Sequence, residues 1–394
     1  MQRKDLEQGF YRIKETIQFP FPETDNPPVV APLFDSIKYS FKNPHEVEKL
    51  FQSQREGFLY SRFENPNSAY LKKLLAAFCE RDKALLLPSG LASITHCLDS
   101  LSAPGDSILC FFESYSPTKA FIQNELSKKG VNAILCHLDD KDSIREVFEK
   151  QKPKICIFEQ QTNPQLKICD RDFIVDLCET HNCISVVDAT YDAFLKAPEE
   201  GIDVVIHSLS KFASGHSDIM GGCICTSRSN LFDKMDQSAK SRGIYLDPYV
   251  SRQTARSLET YLIRHLQYLE NTKLLAKKLE EEKCFVRLKH PSLKDFSQKD
   301  LSDRYQIQST TIFAGLANEE QLYSFIGALK LIRMSPSLGC NESLIAPAKL
   351  FYGHGMSEDE LKKSEIIEGS FRLSIGLESP ELLFADIQQA LEKF

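Results

Sequence analysis

The chain of 394 residues has no uninterrupted apolar run of about 18 residues, and its start, Met1-Gln2-Arg3-Lys4-Asp5-Leu6-Glu7, lacks the apolar core of a secretory leader. A bilayer-crossing helix and an export signal are therefore not expected, and the sequence reads as that of a cytoplasmic protein. Positive charge is not in surplus either: 48 Lys and Arg stand against 55 Asp and Glu, a net charge of -7 with a sequence pI near 5.8. That balance gives no general attraction for nucleic acid or for acidic membrane surfaces, so neither is expected as a partner. Repeats, low-complexity tracts and long linkers are missing too, so the parts of the chain should meet along a fixed or hinge-like cleft.

A metal-binding pattern is also lacking. Cys178, His181 and Cys183 lie close together, but their spacing matches no standard ligand set and no second cysteine pair completes it, so no metal is expected. Many of the 12 cysteines sit in apolar, strand-like contexts, such as Cys110 in Ile108-Leu109-Cys110-Phe111 and Cys156 in Ile155-Cys156-Ile157. They read as small buried hydrophobes in a reducing compartment.

What the chain does have is length and apolar content: 42% of its residues are hydrophobic, enough for a large core and one further domain. Residues 1 to about 57 carry Pro20, Pro22, Pro27, Pro28 and Pro32 with little periodicity before Val47, Leu50 and Phe51, which predicts an extended arm. Over 58–250, short apolar runs near 108–112, 133–137, 155–158, 184–187, 204–206 and 222–226 alternate with helical stripes at 69–80 and 170–181. This alternation predicts an α/β fold, a parallel or mixed sheet covered by helices on both faces. A long helix is expected from about Gln253 to about Glu282, leading into a smaller α/β domain over 251–394, with helices at 321–331 and 380–391 and strands at 310–314 and 371–375.

Two short windows carry the chemistry. The run Val204-Val205-Ile206 leads into Ser208-Leu209-Ser210-Lys211, and upstream the strand Val186-Val187 ends on Asp188. A lysine just beyond a buried strand loses solvation and favours its neutral amine, the form that condenses with an aldehyde. Ser208 and Ser210, two apart on an extended segment, point the same way and can meet one phosphate, while a carboxylate such as Asp188 can hold a pyridinium proton. Read alone, Ser-x-Ser-Lys is more often a solvated junction; Gly215-His216-Ser217-Asp218 and Gly221-Gly222 extend the pattern.

With those glycines the stretch resembles the lysine signature of the Cys/Met-metabolism family of pyridoxal phosphate enzymes, which includes cystathionine synthases and lyases and methionine gamma-lyase. Further blocks resemble the family in order, from about Pro32 to Glu378. The resemblance implies the fold type I architecture of pyridoxal phosphate-dependent transferases, with residues 58–250 as the cofactor-binding large domain. It implies that Lys211 binds the cofactor aldehyde and serves as the base, that Asp188 pairs with the ring nitrogen, and that Ser89, the amides of Gly90 and Leu91, Ser208 and Ser210 form the phosphate cup. Tyr115 would stack on the ring and, like Tyr60, assist proton transfer; Asn163 in Glu159-Gln160-Gln161-Thr162-Asn163-Pro164 would meet the ring hydroxyl. Arg372 would bind the substrate's alpha-carboxylate and Ser337 would contact the lysine or substrate.

Tyr60 and Arg62, in Tyr60-Ser61-Arg62-Phe63-Glu64-Asn65-Pro66, match the block that reaches the phosphate of an adjacent subunit, which implies a homodimer or homotetramer with shared active sites. The family departs from this chain at three places: Ser116-Pro117 replaces a usual Gly-Gly, Ala189 a frequent asparagine, and Pro336 the residue that varies with reaction type. The expected activity is carbon-sulfur bond formation or cleavage on cystathionine- or homoserine-type amino acids in sulfur amino-acid biosynthesis and metabolism, by gamma-elimination or gamma-replacement. Beta-elimination is the alternative reaction. A cofactor-binding module with little catalysis is the alternative of another class.

Overall fold

The computed structural model describes residues 3–19, 26, 28–191, 194, 201–354, 358, 361 and 364–393. Pro20, Pro22 and Pro27, cited above for the arm, lie outside them. Its centre is a seven-stranded sheet made of β1 (Lys83–Leu87), β2 (Ser107–Phe111), β3 (Asn132–Cys136), β4 (Ile155–Glu159), β5 (Ile184–Asp188), β6 (Val204–Ser208) and β7 (Gly222–Thr226), in the order β1-β7-β6-β5-β4-β2-β3. The contiguous run β6-β5-β4-β2-β3 is parallel, and β7 pairs antiparallel with both β6 and β1. β1 consequently runs in the same direction as the parallel strands, and its C-terminal end lies on the same edge as theirs. Strands buried on both faces need apolar residues on both, and Ile155, Cys156, Ile157 and Phe158 supply them, each 2% exposed or less.

The cysteines fit this core. Ten are buried, Cys79 and Cys284 are half-buried, and all are free thiols. Among the described residues, no helix is long and apolar enough to cross a membrane.

A second sheet of five strands follows: β8 (Arg287–Lys289), β9 (Thr311–Gly315), β10 (Arg333–Met334), β11 (Leu344–Pro347) and β12 (Ser370–Ser374), in the order β10-β11-β12-β9-β8. The helices Glu319–Ala328 and Pro380–Leu391 pack on it through Leu322, Phe325, Leu383 and Ile387. Strand positions agree with the apolar runs to within a residue or two at most ends.

Two expectations need correction. The N-terminal segment is not simply extended: Arg3–Thr16 is a helix, and Pro44–Phe51 is another, capped by Asn43. Leu6, Phe10, Ile13 and Ile17 recur at helical spacing and face the large core, where Phe10 stacks on Phe78 with ring centroids 5.7 Å apart. The prolines that suggested an open arm lie after this helix, so they do not interrupt it.

The long helix predicted from Gln253 is in fact two, Pro248–Leu258 and Tyr261–Glu280, with Thr260 out of helical conformation between them. The break has a physical use. Buried Arg264 donates to the carbonyl of Ser257, which also accepts from Thr260, at 2.9 Å and to the carbonyls of Phe212 and Ala213 at 3.3 and 3.4 Å. It thereby ties the second helix to the turn that holds Lys211.

Candidate active site

The C-terminal ends of the strands carry the cluster, the edge where ligands bind in open α/β sheets. Ser89 follows β1, Tyr115 follows β2, Glu159 ends β4, Asp188 ends β5 and Ser208 ends β6. Ser89 caps the 12-residue helix Gly90–Leu101, its hydroxyl accepting from the Ala92 amide at 3.0 Å. Gly90 and Leu91 therefore open a helix whose first-turn amides have no intrahelical acceptor and suit an anion. Gly90 is required by packing, because a Cβ there would stand 2.6 Å from Cβ of Ser208.

Ser210 is placed differently from the expectation. The chain leaves extended conformation after Ser208: the Leu209 amide still donates to Gly221 O at 2.9 Å, one rung beyond the Ser208–Gly222 pair, and residues Leu209–Ala213 then wind into a wide turn. The Ser210 hydroxyl accepts from the Gly221 amide at 3.0 Å and lies 3.3 Å from Gly221 O. Ser208 and Ser210 thus do not share one strand face; the turn brings Ser210 against Gly221 instead.

Lys211 lies within that turn at φ -101 and ψ -124, outside helical values. Its Nζ donates to Ser337 Oγ at 2.6 Å. Burial, followed by the positive charge of Arg372, pushes the amine below its ordinary value, while Cys340 and Asp188 oppose that shift. The free amine is the nucleophilic form, so the setting favours condensation with a carbonyl.

Ser337 is a left-handed residue, φ 82, and this conformation lets it serve two partners. Its hydroxyl receives Lys211, and its carbonyl receives Nη2 of Arg372. Arg372, in the centre of β12, is 1% exposed. Its Nη1 donates to Asn163 Oδ1 at 2.9 Å, which leaves the Asn163 amide group as that side chain's donor. Nearby, the Glu378 carboxylate accepts from the amide and hydroxyl of Ser343 at 2.8 and 2.7 Å.

Asp188 accepts from the Thr190 amide at 3.1 Å, and the Thr190 hydroxyl accepts from the Ser208 amide at 2.9 Å. Support for the carboxylate thus comes from Thr190, beside the Ala189 departure. Tyr115 is 40% exposed, and its amide donates to Glu159 Oε1 at 2.6 Å. Burial raises the Tyr115 phenol, and the negative charges of Asp188 and Glu159 raise it further, so in the chain alone it is a proton donor rather than a base.

Tyr60 and Arg62 are not gathered with Lys211 by these contacts. Arg62 donates to Lys240 O at 3.0 Å and lies 4.3 Å over the Phe63 ring, while Tyr60 is 38% exposed. The neighbouring Asn65 is fully buried: it caps the helix Pro66–Phe78 and donates to Phe34 O at 2.8 Å, fastening the N-terminal segment.

Residues that were not singled out in the sequence also enter the site. Glu159 was visible only as part of a motif, and its acid is pushed up to about 8 by burial and then by Asp188. Tyr191, Thr311 and Tyr352 surround Asn163 and Arg372: the Tyr191 hydroxyl lies 3.4 Å from Asn163 Oδ1 and 3.3 Å from Thr311 Oγ1, and Arg372 lies 5.4 Å over the Tyr352 ring. Tyr191 has a local signal, since it follows Asp188 by three residues; Thr311 and Tyr352 have none, because only the second sheet brings them near.

Glu113, His137 and Asp139 also converge elsewhere among the described residues. The ammonium of Lys167 lies 3.1 Å from Glu113 and 3.6 Å from Asp139, so this is an ion-pair cluster whose charge is already met.

Comparison with known proteins identifies relatives of the chain. The chain is 30% identical over 382 residues to an L-methionine gamma-lyase of Pseudomonas putida, covering 94% of each chain. It is 29% identical over 347 residues to a cystathionine beta-lyase of Lactococcus lactis subsp. cremoris, covering 86% of this chain and 90% of the relative. A cystathionine gamma synthase of Xanthomonas oryzae pv. oryzae, solved with cystathionine, has the same fold, with a TM-score of 0.89 over 98% of each chain at 24% identity. The model of the Cys/Met metabolism PLP-dependent enzymes matches residues 20–392, and the chain belongs to that family of pyridoxal 5'-phosphate enzymes acting on sulfur amino acids.

Proposed function

We propose that the protein catalyses gamma-elimination or gamma-replacement at the carbon-sulfur or carbon-oxygen bond of cystathionine- or homoserine-type amino acids, with Lys211 as the cofactor-binding lysine. One observation carries the reading: Lys211 Nζ and the Arg372 guanidinium meet on the same residue, Ser337. An amino acid whose carboxylate is taken by Arg372 thereby has its alpha carbon brought toward an amine that favours its neutral form.

The residues fit pyridoxal phosphate. The glycine at position 90 leaves space that a Cβ would close against Ser208, and the amides of Gly90 and Leu91 open a helix toward that space. We assign the phosphate to Ser89, Gly90, Leu91, Ser208 and Ser210, the ring nitrogen to Asp188, the ring face to Tyr115 and the ring hydroxyl to the amide group of Asn163. Bound there, the cofactor supplies an imine to the substrate amine and withdraws electrons from its alpha carbon.

The chain supplies the rest. Lys211, free of its proton, takes the alpha proton, and Ser337 Oγ holds Nζ by the 2.6 Å hydrogen bond. Once Lys211 has handed on the first proton it takes a second from the beta carbon, which allows a group on the gamma carbon to leave, and we assign Tyr115 to protonate that group. Tyr60 and Arg62 are assigned to the phosphate of a neighbouring subunit, which makes the working unit a homodimer or homotetramer, and the protein is placed in the cytoplasm.

The test is product identification with L-cystathionine. Gamma-cleavage yields cysteine, 2-oxobutanoate and ammonia; beta-cleavage yields homocysteine, pyruvate and ammonia, and that result would transfer the assignment to the beta-lyase reaction. Thioether formation from an activated homoserine ester and cysteine would identify gamma-replacement. No turnover of any of these substrates would contradict the proposal.

A further inference from the structure

The chain turns after β11 into the short helix Ala348–Phe351, and Tyr352 follows it. β11 is the antiparallel neighbour of β12, with Ala346 opposite Arg372. That pairing brings the Tyr352 ring under the guanidinium, 5.4 Å from its carbon. The hydroxyl of Tyr352 and Nε of Arg372 are both closed to solvent, and neither donates to an acceptor in hydrogen-bond geometry; the Tyr352 oxygen stands close enough to Asn163, and the guanidinium close enough to Tyr191, to interact with them. Burying such a group unpaired costs about 1–3 kcal/mol, and buried polar atoms are nearly always satisfied.

Both orphans can donate. Burial holds the Tyr352 phenol well above its ordinary value, with the opposing pull of Arg372 the next influence, so it keeps its proton. Its oxygen is within hydrogen-bonding influence of Asn163, and its ring lies 5.4 Å from the Arg372 guanidinium carbon, so it shares the surroundings of those two side chains. The other two guanidinium nitrogens are engaged by Asn163 and Ser337. Two neighbouring buried donors without an acceptor match a group that brings two oxygens, and a guanidinium edge prefers a carboxylate.

We propose that Tyr352 is a second carboxylate-binding residue, its hydroxyl donating to the same substrate carboxylate that Arg372 holds. The inference rests on the assignment of Arg372 given above and extends it. Tyr352 would set affinity for the amino acid while leaving proton transfer at Lys211 intact, because Nζ is held by Ser337.

The test titrates the holoenzyme, followed through the visible absorption of its cofactor, with L-alanine and with L-alaninamide. L-Alanine has no leaving group at its beta carbon, so binding is read at equilibrium, and the amide lacks the carboxylate. Tyr352→Phe keeps the ring against Arg372 and should raise the L-alanine Kd roughly 10-fold, the loss of about one hydrogen bond to a charged group. The L-alaninamide Kd should stay unchanged, and with a turned-over substrate KM should rise while kcat is kept. An unchanged L-alanine Kd, or an equal rise for both ligands, would overturn the proposal. Arg372→Gln is measured alongside: if it discriminates between the ligands and Tyr352→Phe does not, Tyr352 alone loses its role; if neither does, the assignment of Arg372 falls as well.

Discussion

Glu159 and Asp188 are register partners at the C-terminal ends of the parallel strands β4 and β5, so two carboxylates end neighbouring strands. Burial, and then the charge of Asp188, push the Glu159 acid up to about 8, and the Tyr115 amide donates to it. With two like charges side by side, one takes a proton, and here it is the more deeply buried Glu159. The neutral acid puts no second negative charge beside Asp188, the carboxylate proposed above for the ring nitrogen.

This arrangement predicts a pH signature of stability. The folded value lies above the ordinary 4.5, so between about 4.5 and 8 the folded chain keeps a proton that the unfolded chain has released. Stability should fall as pH rises through that window, by up to about 1.4 kcal/mol per pH unit, and level off above it. Glu159→Gln retains an acceptor for Tyr115 without the titration. Denaturant unfolding of the cofactor-free proteins should show the variant gaining on the wild type from pH 5 to 8, then running parallel; curves parallel throughout would refute the assignment.

A second prediction concerns the phosphate cup. Gly90→Ala adds a methyl whose carbon would stand 2.6 Å from Cβ of Ser208, too close for either backbone to remain in place. Overpacking of this kind costs about 1–3 kcal/mol, which should appear as roughly 5- to 150-fold weaker cofactor binding in equilibrium titration of the apoprotein. Unaltered affinity would mean the phosphate is held elsewhere.

The N-terminal helix gives a stability prediction. Phe10 is 4% exposed and stacked on Phe78, so Phe10→Ala should lower unfolding free energy by about 3 kcal/mol in denaturant titration. A loose arm would give no change.

Shared active sites predict complementation between defective subunits. Lys211→Ala and Arg62→Ala are each expected to lose nearly all activity as pure proteins. Mixed after co-refolding, they should regain a measurable fraction, because a mixed dimer contains one site with both residues intact. Activity in the mixture no higher than in the separate variants would place Arg62 outside its neighbour's site.

Much of the site was legible because its parts are local to strand ends. The strand Val186–Asp188 and the segment Ser208–Lys211 announce themselves by an apolar run followed by polar residues, and the Ser89-Gly90 turn by a strand-to-helix change. What remained hidden depends on contacts far apart in sequence or on conformation. Ser210 looked as if it continued a strand, but the strand ends at Ser208 and residues Leu209–Ala213 wind into a turn. The helix at residues 3–16 was readable from Leu6, Phe10, Ile13 and Ile17 but was overshadowed by the prolines behind it. Tyr352 and Thr311 carry no local mark at all: the pairing of β11, β12 and β9 brings them to Arg372, and no periodicity reports which strands of the second sheet become neighbours.

The central claim is that Lys211 holds the cofactor. Borohydride reduction of the purified holoenzyme fixes a pyridoxyl group on the lysine that bears it, and peptide mass spectrometry then identifies that residue. The account predicts the modification on Lys211 and its disappearance, together with the visible absorption, in Lys211→Ala. Modification of a different lysine in the wild type, or visible absorption that survives in Lys211→Ala, would contradict it.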